Sequence, residues 1–279
     1  MRIAVASGKG GTGKTTLSVS LASYLKKKGH SVSLLDCDVE EPNVNLFLQA
    51  PIEKNDVITR MVPSVDREKC DGSGKCQEIC EFNAIVVVKG KPLVFPELCH
   101  ACGGCMHACP NNAISEVPVE LGTRESGSSN GISYIGGRLK IGEAMSPPLI
   151  KAVKDEAMED EIIILDSPPG TSCPVIESIK GSDFVIMATE PTPFGLNDLK
   201  LAVGMVREVG IPFGVFLNRS DIGDSGVVDY CWDEGIPVVA SIPNSREVAV
   251  KYSKGDFAGF VIENFSHELD RILSFVGIE

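Results

Sequence analysis

Apolar residues follow two alternating rhythms at both ends of the chain and lose them in between. Ile3-Ala-Val-Ala6 is a short apolar run of strand type. Leu17, Leu21 and Leu25 then recur at helical spacing, and Lys26-Lys27-Lys28-Gly29 supplies cations and a glycine stop for that helix. Val32 to Leu35 is the next strand. Strand, helix and strand at this separation imply a parallel pair with a right-handed crossover. From about Pro63 to Val117 the rhythm gives way to cysteines, short elements and turn residues, and Gly122 to Gly131 reads as a mobile loop or linker. The alternation then returns. Ile162 to Leu165 and Phe184 to Ala188 read as buried strands, and Leu199, Ala202, Val203 and Val206 as a helix stopped by Gly210-Ile-Pro212. Val215 to Leu217 and Val238 to Ile242 are further strands. Phe260 to Val276 is the last helix, with Val261, Phe265, Leu269, Ile272 and Val276 on one face. The pattern predicts an α/β domain with a mainly parallel sheet flanked by helices. It is built from residues 1–62 and 118–279, with a small domain, 63–117, inserted.

A chain of 279 residues is long enough to bury a large core, and 43% apolar content is ordinary for a water-soluble fold. Thirty-eight acidic residues against 26 basic ones leave a net charge of −12. That balance argues against nucleic acid and against an anionic membrane as partners. Met1-Arg2 runs straight into the first strand without a signal-peptide pattern. No apolar run approaches the roughly 20 residues that span a bilayer. Ten cysteines in such a chain suggest ligands in a reducing, cytoplasmic setting rather than disulfides. Cys37 and Cys231 read as inert core thiols, and the seven cysteines from Cys70 to Cys109 do not.

Gly8-Lys-Gly-Gly-Thr-Gly13-Lys14-Thr15 fits the phosphate-binding pattern G-x4-G-K-[ST], after a strand and at the start of a helix. In that pattern the backbone of Gly8, Gly10, Gly11, Thr12 and Gly13, continuing through Lys14, Thr15 and Thr16, wraps ATP phosphates. Lys14 reaches the β- and γ-phosphates and the Thr15 hydroxyl holds Mg²⁺. Leu34-Leu-Asp36-Cys-Asp38 ends the second strand in carboxylates, at the sheet edge where ligands bind. Ile162-Ile-Ile-Leu-Asp166-Ser-Pro-Pro-Gly170 is an apolar strand ending in an acid, which fits a Mg²⁺-holding Asp166.

The run Cys99-His-Ala-Cys102-Gly-Gly-Cys105-Met-His-Ala-Cys109-Pro110 has the bacterial-ferredoxin spacing C-x2-C-x2-C-x3-C-P. It is the second half of an internal repeat. Cys80-Glu-Phe-Asn-Ala-Ile85 parallels Cys109-Pro-Asn-Asn-Ala-Ile114. In two-cluster ferredoxins the fourth cysteine of each motif serves the other cluster. Applied here, one [4Fe–4S] cluster (cluster II) takes Cys80, Cys99, Cys102 and Cys105. Zinc is the alternative for such a four-cysteine set. The first half of the repeat is Cys70-Asp-Gly-Ser73-Gly-Lys-Cys76-Gln-Glu-Ile-Cys80-Glu81, with Ser73 at a cysteine position. Cluster I then has Cys70, Cys76 and Cys109, and four outcomes stay open. Ser73 completes a [4Fe–4S] cluster, the site holds [3Fe–4S], a foreign ligand fills the corner, or the repeat is an empty relic.

Lys9, in K-G-G-T-G-K-T-T, resembles the deviant Walker motif of the MinD/ParA/nitrogenase iron protein ATPases. With the cysteine repeat, the chain resembles the ferredoxin-containing MinD-superfamily P-loop ATPases, relatives of the Mrp-type iron–sulfur proteins. The resemblance implies that Lys9 crosses onto a partner's nucleotide in an ATP-bound homodimer. It implies that Asp38 lies in switch I and helps place the attacking water. Asn218, after Val215-Phe-Leu, and Pro243, in Ile242-Pro243-Asn-Ser-Arg-Glu-Val248, are implied to contact adenine. Cys173 follows Asp166 at the distance of a cluster-ligating cysteine in the nitrogenase iron protein, but no second cysteine stands between Gly131 and Ser146. A small buried residue is the other reading of Cys173. The tail from Glu263 through Asp270 and Arg271 to Glu279 is acidic on balance, unlike the basic membrane helix of MinD. The implied functions are ATP-gated electron transfer to a redox partner, iron–sulfur cluster carriage to a client, and, third, a positioning ATPase.

Overall fold

The computed structural model describes residues 1–157 and 162–278, so Glu279 of the acidic tail lies outside the described residues. Along the chain come β1 (Arg2–Ala6), α1 (Lys14–Lys27), β2 (Val32–Asp36), α2 (Val44–Leu48) and β3 (Ile52–Val65). Then follow α3 (Lys75–Glu78), β4 (Ile85–Val88), β5 (Lys91–Val94), α4 (Gly104–Ala108), β6 (Ile114–Ser129) and β7 (Ile132–Leu139). The remainder is α5 (Pro147–Asp155), β8 (Ile162–Asp166), α6 (Cys173–Ile179), β9 (Phe184–Thr189), α7 (Pro193–Val209), β10 (Phe213–Asn218), α8 (Gly226–Asp233), β11 (Val238–Ile242), α9 (Arg246–Tyr252) and α10 (Ala258–Phe275). Two compact units result. One comprises Met1–Asn55, Arg124–Arg138 and Ile150–Glu279, and the other Asp56–Thr123 and Leu139–Leu149. Pro63 and Val117 fall inside β3 and β6.

The sheet order is β11-β10-β9-β1-β8-β2-β7-β6-β3. The pairings from β11 through to β7 are parallel. Each of β1, β2 and β8 to β11 is a short, nearly continuous apolar run, as expected of strands covered on both faces. Ile3, Val5, Leu34, Ile164 and Ile186 pack with Leu17, Leu21 and Leu25 of α1 and with Val261, Leu269 and Ile272 of α10. The alternate residues Ala4, Leu35, Ile163, Leu165, Val185 and Met187 are also buried and point to the other face, where α6 lies on β1 and α7 on β9. The last helix departs from the sequence expectation at one place. Phe265 has φ −132°, a kink within α10, while its ring still packs on the core. Among the described residues no helix is long and apolar enough to cross a membrane.

The stretch from Gly122 to Gly131 is not a free linker. It forms most of the end of β6 and the turn into β7. Asn130 (φ +52°) and Gly131 (φ +74°) make the two-residue turn, the Asn-Gly chemistry that a tight antiparallel hairpin requires. Gly127 lies within β6 and has to be glycine, because a Cβ there would lie 2.0 Å from the Pro51 carbonyl oxygen. Small residues serve close backbone approach here, which composition alone reads as looseness.

In the smaller unit the sequence repeat is a repeat of backbone. Gly74 (φ +80°) precedes α3 and Gly103 (φ +71°) precedes α4. Asn83 and Asn112 each take positive φ and donate to the carbonyls of Cys80 and Cys109. Gly72 and Ala101 share the left-handed conformation at the start of each turn. Apolar cover is thin. Val62 and Ala84 pack with Cys99, and Ile85 and Ile114 with Cys76.

Leu34 is fully buried in β2, on the sheet face that packs against α1 and α10. Leu34→Ala is expected to lower unfolding free energy by about 2–5 kcal/mol, read from urea denaturation with an unchanged m-value.

Candidate functional site

Asp36 and Asp166 are paired in register across β2 and β8, and Val5 of β1 is paired with Asp166 on the other side. Parallel strands therefore deliver both carboxylates to the same edge, next to the glycine loop leaving β1. Asp166 is 1% exposed. Thr15 Oγ1 donates to its Oδ2 (2.7 Å) and Ser18 Oγ to its Oδ1 (2.8 Å). Burial pushes the Asp166 carboxyl up, and these two hydroxyls and the Lys14 ammonium pull it back. Burial also pushes Lys14 down, opposed by Asp166 and Asp38. Lys14 Nζ donates to Ser7 Oγ (2.9 Å).

Asp36 is wholly buried, and its carboxyl is raised well above the usual range, first by desolvation and then by Asp166. Its Oδ2 accepts from the backbone N–H groups of Asn43 (2.8 Å) and Val44 (2.9 Å), which anchors the segment carrying Asp38. Asp38 lines the cleft, and burial raises its carboxyl to about 6, with Asp166 adding to the rise and Lys14 opposing it.

Gly13 (φ +95°) ends the loop, and α1 starts at Lys14. A Cβ on Gly13 would sit 2.4 Å from Asn218 Nδ2, and that amide donates to the Thr12 carbonyl (3.0 Å). Glycine is thus required twice over at this position, and the loop is fastened to the end of β10. A cleft of about 460 Å³ opens here. Gly10, Gly11, Gly13, Lys14, Thr15 and Thr16 line it together with Asn218, Arg219, Pro243, Val248 and Tyr252. Ser20 Oγ and Asn43 Oδ1, both in its wall, are buried without a hydrogen-bond partner. A polar floor with unsatisfied atoms beside an apolar flank suits a nucleotide. Gly8 does not line the cleft. Its role is close approach, since a Cβ would meet the Asp198 carbonyl oxygen at 2.2 Å. Lys9 lies apart from the cleft lining, with Nζ 3.8 Å from Glu190 Oε2. The other oxygen of that carboxylate takes Arg219 Nη1 at 2.7 Å.

Two further cavities lie in the smaller unit. Cys70, Ser73, Cys76 and Cys109 line one, with Asp71 beside them. Cys80, Cys99, Cys102 and Cys105 line the other, with Phe82 stacked on His100 at its wall. The Ala84 N–H donates to Cys80 Sγ (3.3 Å) and the Ala113 N–H to Cys109 Sγ (3.3 Å), the same bond in each half of the repeat. The Ala101 N–H donates to Cys99 Sγ (3.4 Å). Burial raises Cys76, with the Cys70 and Cys109 thiols adding to the rise. Burial likewise raises Cys105, with Cys99 and Cys102 adding. Gathered thiols resist ionisation unless a cationic centre joins them. Hydrogen bonds from the Ser73 backbone and hydroxyl hold Asp71 below the usual carboxylate range. Among the described residues no group of three or more His, Cys, Asp or Glu is placed to hold a metal ion. Cys37 and Cys231 are buried and Cys173, first in α6, is exposed. Ser7, Ser18, Asn43 and Glu190 were not legible as site residues, because each acts through a partner distant in sequence or through a common residue type.

A strand, a glycine loop capping a helix and a buried acid on the neighbouring strand define a P-loop nucleotide-binding protein. The chain belongs to the family described as CobQ/CobB/MinD/ParA nucleotide binding domain, which matches residues 3–257. It is 38% identical to an uncharacterized protein of Methanocaldococcus jannaschii over 80% of each chain. It is 27% identical to the iron-sulfur cluster carrier protein of Aquifex aeolicus, over 91% of this chain and 60% of that one. Among solved structures, the septum site-determining protein MinD of Pyrococcus horikoshii, complexed with Mg-ADP, superposes with a TM-score of 0.59. It is 19% identical, over 99% of this chain and 95% of that one, so that likeness speaks for the fold.

The raised Asp38 carboxyl has a consequence for stability. The folded chain keeps a proton that the unfolded chain releases between pH 3.8 and about 6. Stability from that proton is full below the lower value and lost as pH rises through the upper one. Asp38→Asn, which stays neutral, is expected to match the parent's urea midpoint near about pH 4 and to exceed it above about pH 7. A gap independent of pH contradicts this.

Proposed function

We propose that this chain is an ATP-hydrolysing iron–sulfur protein in which nucleotide-driven pairing of two copies gates electron transfer through two clusters to a redox partner. The observation that carries the reading is the sorting of the thiols. Each set named by the ferredoxin rule lines its own cavity, and the N–H to sulfur bonds at Cys80 and Cys109 repeat. Thiols spread around a cavity suit a cluster, whose irons each take one thiolate. They suit a single zinc ion less, since zinc draws its sulfurs to about 2.3 Å. A bound cluster supplies one-electron storage. The chain's own residues hold it, shield it and set its charge environment.

In this reading residues 63–117 are the core of a ferredoxin-like insertion. Cys80, Cys99, Cys102 and Cys105 hold a [4Fe–4S] cluster. Cys70, Cys76 and Cys109 hold a second, and Ser73, already engaged with Asp71, leaves it as [3Fe–4S]. In the nucleotide cleft the loop N–H groups and Lys14 bind the phosphates of ATP. Thr15 and Asp166, already in contact, hold Mg²⁺. Asp38 orients the attacking water, and Asn218 and Pro243 face the adenine. Lys9 leaves Glu190 to reach the nucleotide of a second copy. The −12 charge favours protein partners over nucleic acid or membrane.

A second reading, cluster carriage to an apo-protein client, is favoured by the relative in Aquifex aeolicus named as an iron-sulfur cluster carrier protein. The two readings separate in one anaerobic experiment. Under gating, ATP turnover differs between oxidised, reduced and cluster-free protein, and the iron stays on the chain. Equal turnover in all three states contradicts gating. ATP-dependent passage of iron and sulfide to an apo-ferredoxin establishes carriage in its place.

A further inference from the structure

Arg60, in the middle of β3, is 5% exposed, and it does not belong to any motif of the sequence. Its guanidinium makes four hydrogen bonds. Nη1 donates to the Cys99 carbonyl (2.9 Å) and Nη2 to the Pro96 carbonyl (2.7 Å). Nε (3.2 Å) and Nη2 (2.9 Å) both reach Glu143 Oε2. The two side chains are 3% and 7% exposed. The other oxygen of Glu143 accepts the N–H groups of Ala144 (3.0 Å) and Met145 (3.1 Å). Pro96 and Cys99 bracket a 3₁₀ turn, closed by the Cys99 N–H on the Pro96 carbonyl (3.0 Å). The arginine therefore ties down both ends of the turn that delivers Cys99.

We infer that Arg60 positions Cys99, and that Glu143 balances the charge Arg60 brings to the cluster held by Cys80, Cys99, Cys102 and Cys105, so that neither charge alone biases its reduction potential. The inference rests on the reading of that cavity as a cluster site. A buried ion pair is a poor source of stability, because desolvation offsets its attraction. This pair is buried where a cluster ligand starts, on a segment, Leu139–Leu149, that joins the unit from far along the chain. Its chemistry fits the place. The planar fork of arginine grips two carbonyls and one carboxylate at once, which lysine cannot do. An added electron makes a thiolate-ligated cluster more negative. A cation bonded to the Cys99 carbonyl favours that electron, and the carboxylate paired with the cation opposes it. Paired, the two fields nearly cancel.

Removing one partner exposes the field of the other. Glu143→Gln keeps an acceptor for the guanidinium and is expected to raise the potential of this cluster. Arg60→Gln is expected to lower it. The double variant is expected to return most of the way to the parent value. The Cys70/Cys76/Cys109 cluster in the same molecule is the internal reference and is expected to stay put. Redox-titrated EPR of anaerobically prepared full-length protein reads both clusters together. If Arg60→Gln fails to retain the cluster, Glu143→Gln alone decides, since an upward shift confined to cluster II supports the inference. Parent-like potentials in Glu143→Gln overturn it, as do equal shifts in both clusters. A parent protein with no cluster signal at all overturns the cluster reading itself, a distinct result.

Discussion

A carboxylate shut away from water governs the nucleotide half of the protein. Asp166 is buried at the end of β8, and its charge is tolerable only because Thr15, Ser18 and Lys14 surround it. Two of those groups flank the loop junction and the third lies one turn into α1, so the start of that helix cannot move without unsealing the acid. The register of β1, β8 and β2 fixes the junction, because it places Val5, Asp166 and Asp36 side by side. Asp36 then holds the backbone at Asn43 and Val44, and through it the segment of Asp38. Loop, helix start and both acidic strand ends thus form one electrostatic unit. Mg²⁺ and phosphate would change all of its members at once.

The smaller unit is organised by a different rule. Its buried apolar residues are few, and thiols occupy the places that leucine or isoleucine fill elsewhere. Cys76 packs with Ile85 and Ile114, and Cys99 with Val62 and Ala84. Short chains with so little apolar cover fold on the strength of a bound group or a crosslink. Left-handed turns at Gly72, Gly74, Ala101 and Gly103 bend the backbone beside each cavity, and the Ala101 N–H points at Cys99 Sγ. The backbone repeat persists with Ser73 where the second half has Cys102, so the turn keeps its shape without a thiol at that position.

Much of this was legible in the sequence because it is local. Runs such as Ile162 to Leu165 and the loop from Gly8 to Thr15 carry their structure within a few residues, and the cysteine repeat carries the matching glycine turns before α3 and α4. What was not legible depends on distant partners. Gly127 is a strand glycine only because Pro51 comes within touching distance. Lys9 reads as a free loop cation until Glu190, at the end of β9, is placed beside it. Arg60 and Glu143 are 83 positions apart, and no local spacing signals their bond. Phe265 keeps its helical place in the pattern while its backbone leaves helical geometry, since periodicity reports which face is apolar and not φ.

The proposed function stands or falls on iron–sulfur clusters in the two thiol-lined cavities. Iron and acid-labile sulfide determined on anaerobically purified protein, with Mössbauer spectroscopy to sort the irons, test it directly. The account predicts roughly seven iron atoms per chain, divided between a [4Fe–4S] and a [3Fe–4S] species. It also predicts loss of the first on Cys102→Ala and of the second on Cys76→Ala. A chain that binds nucleotide yet carries no iron after anaerobic reconstitution, or that carries a single zinc ion on these thiols, contradicts it.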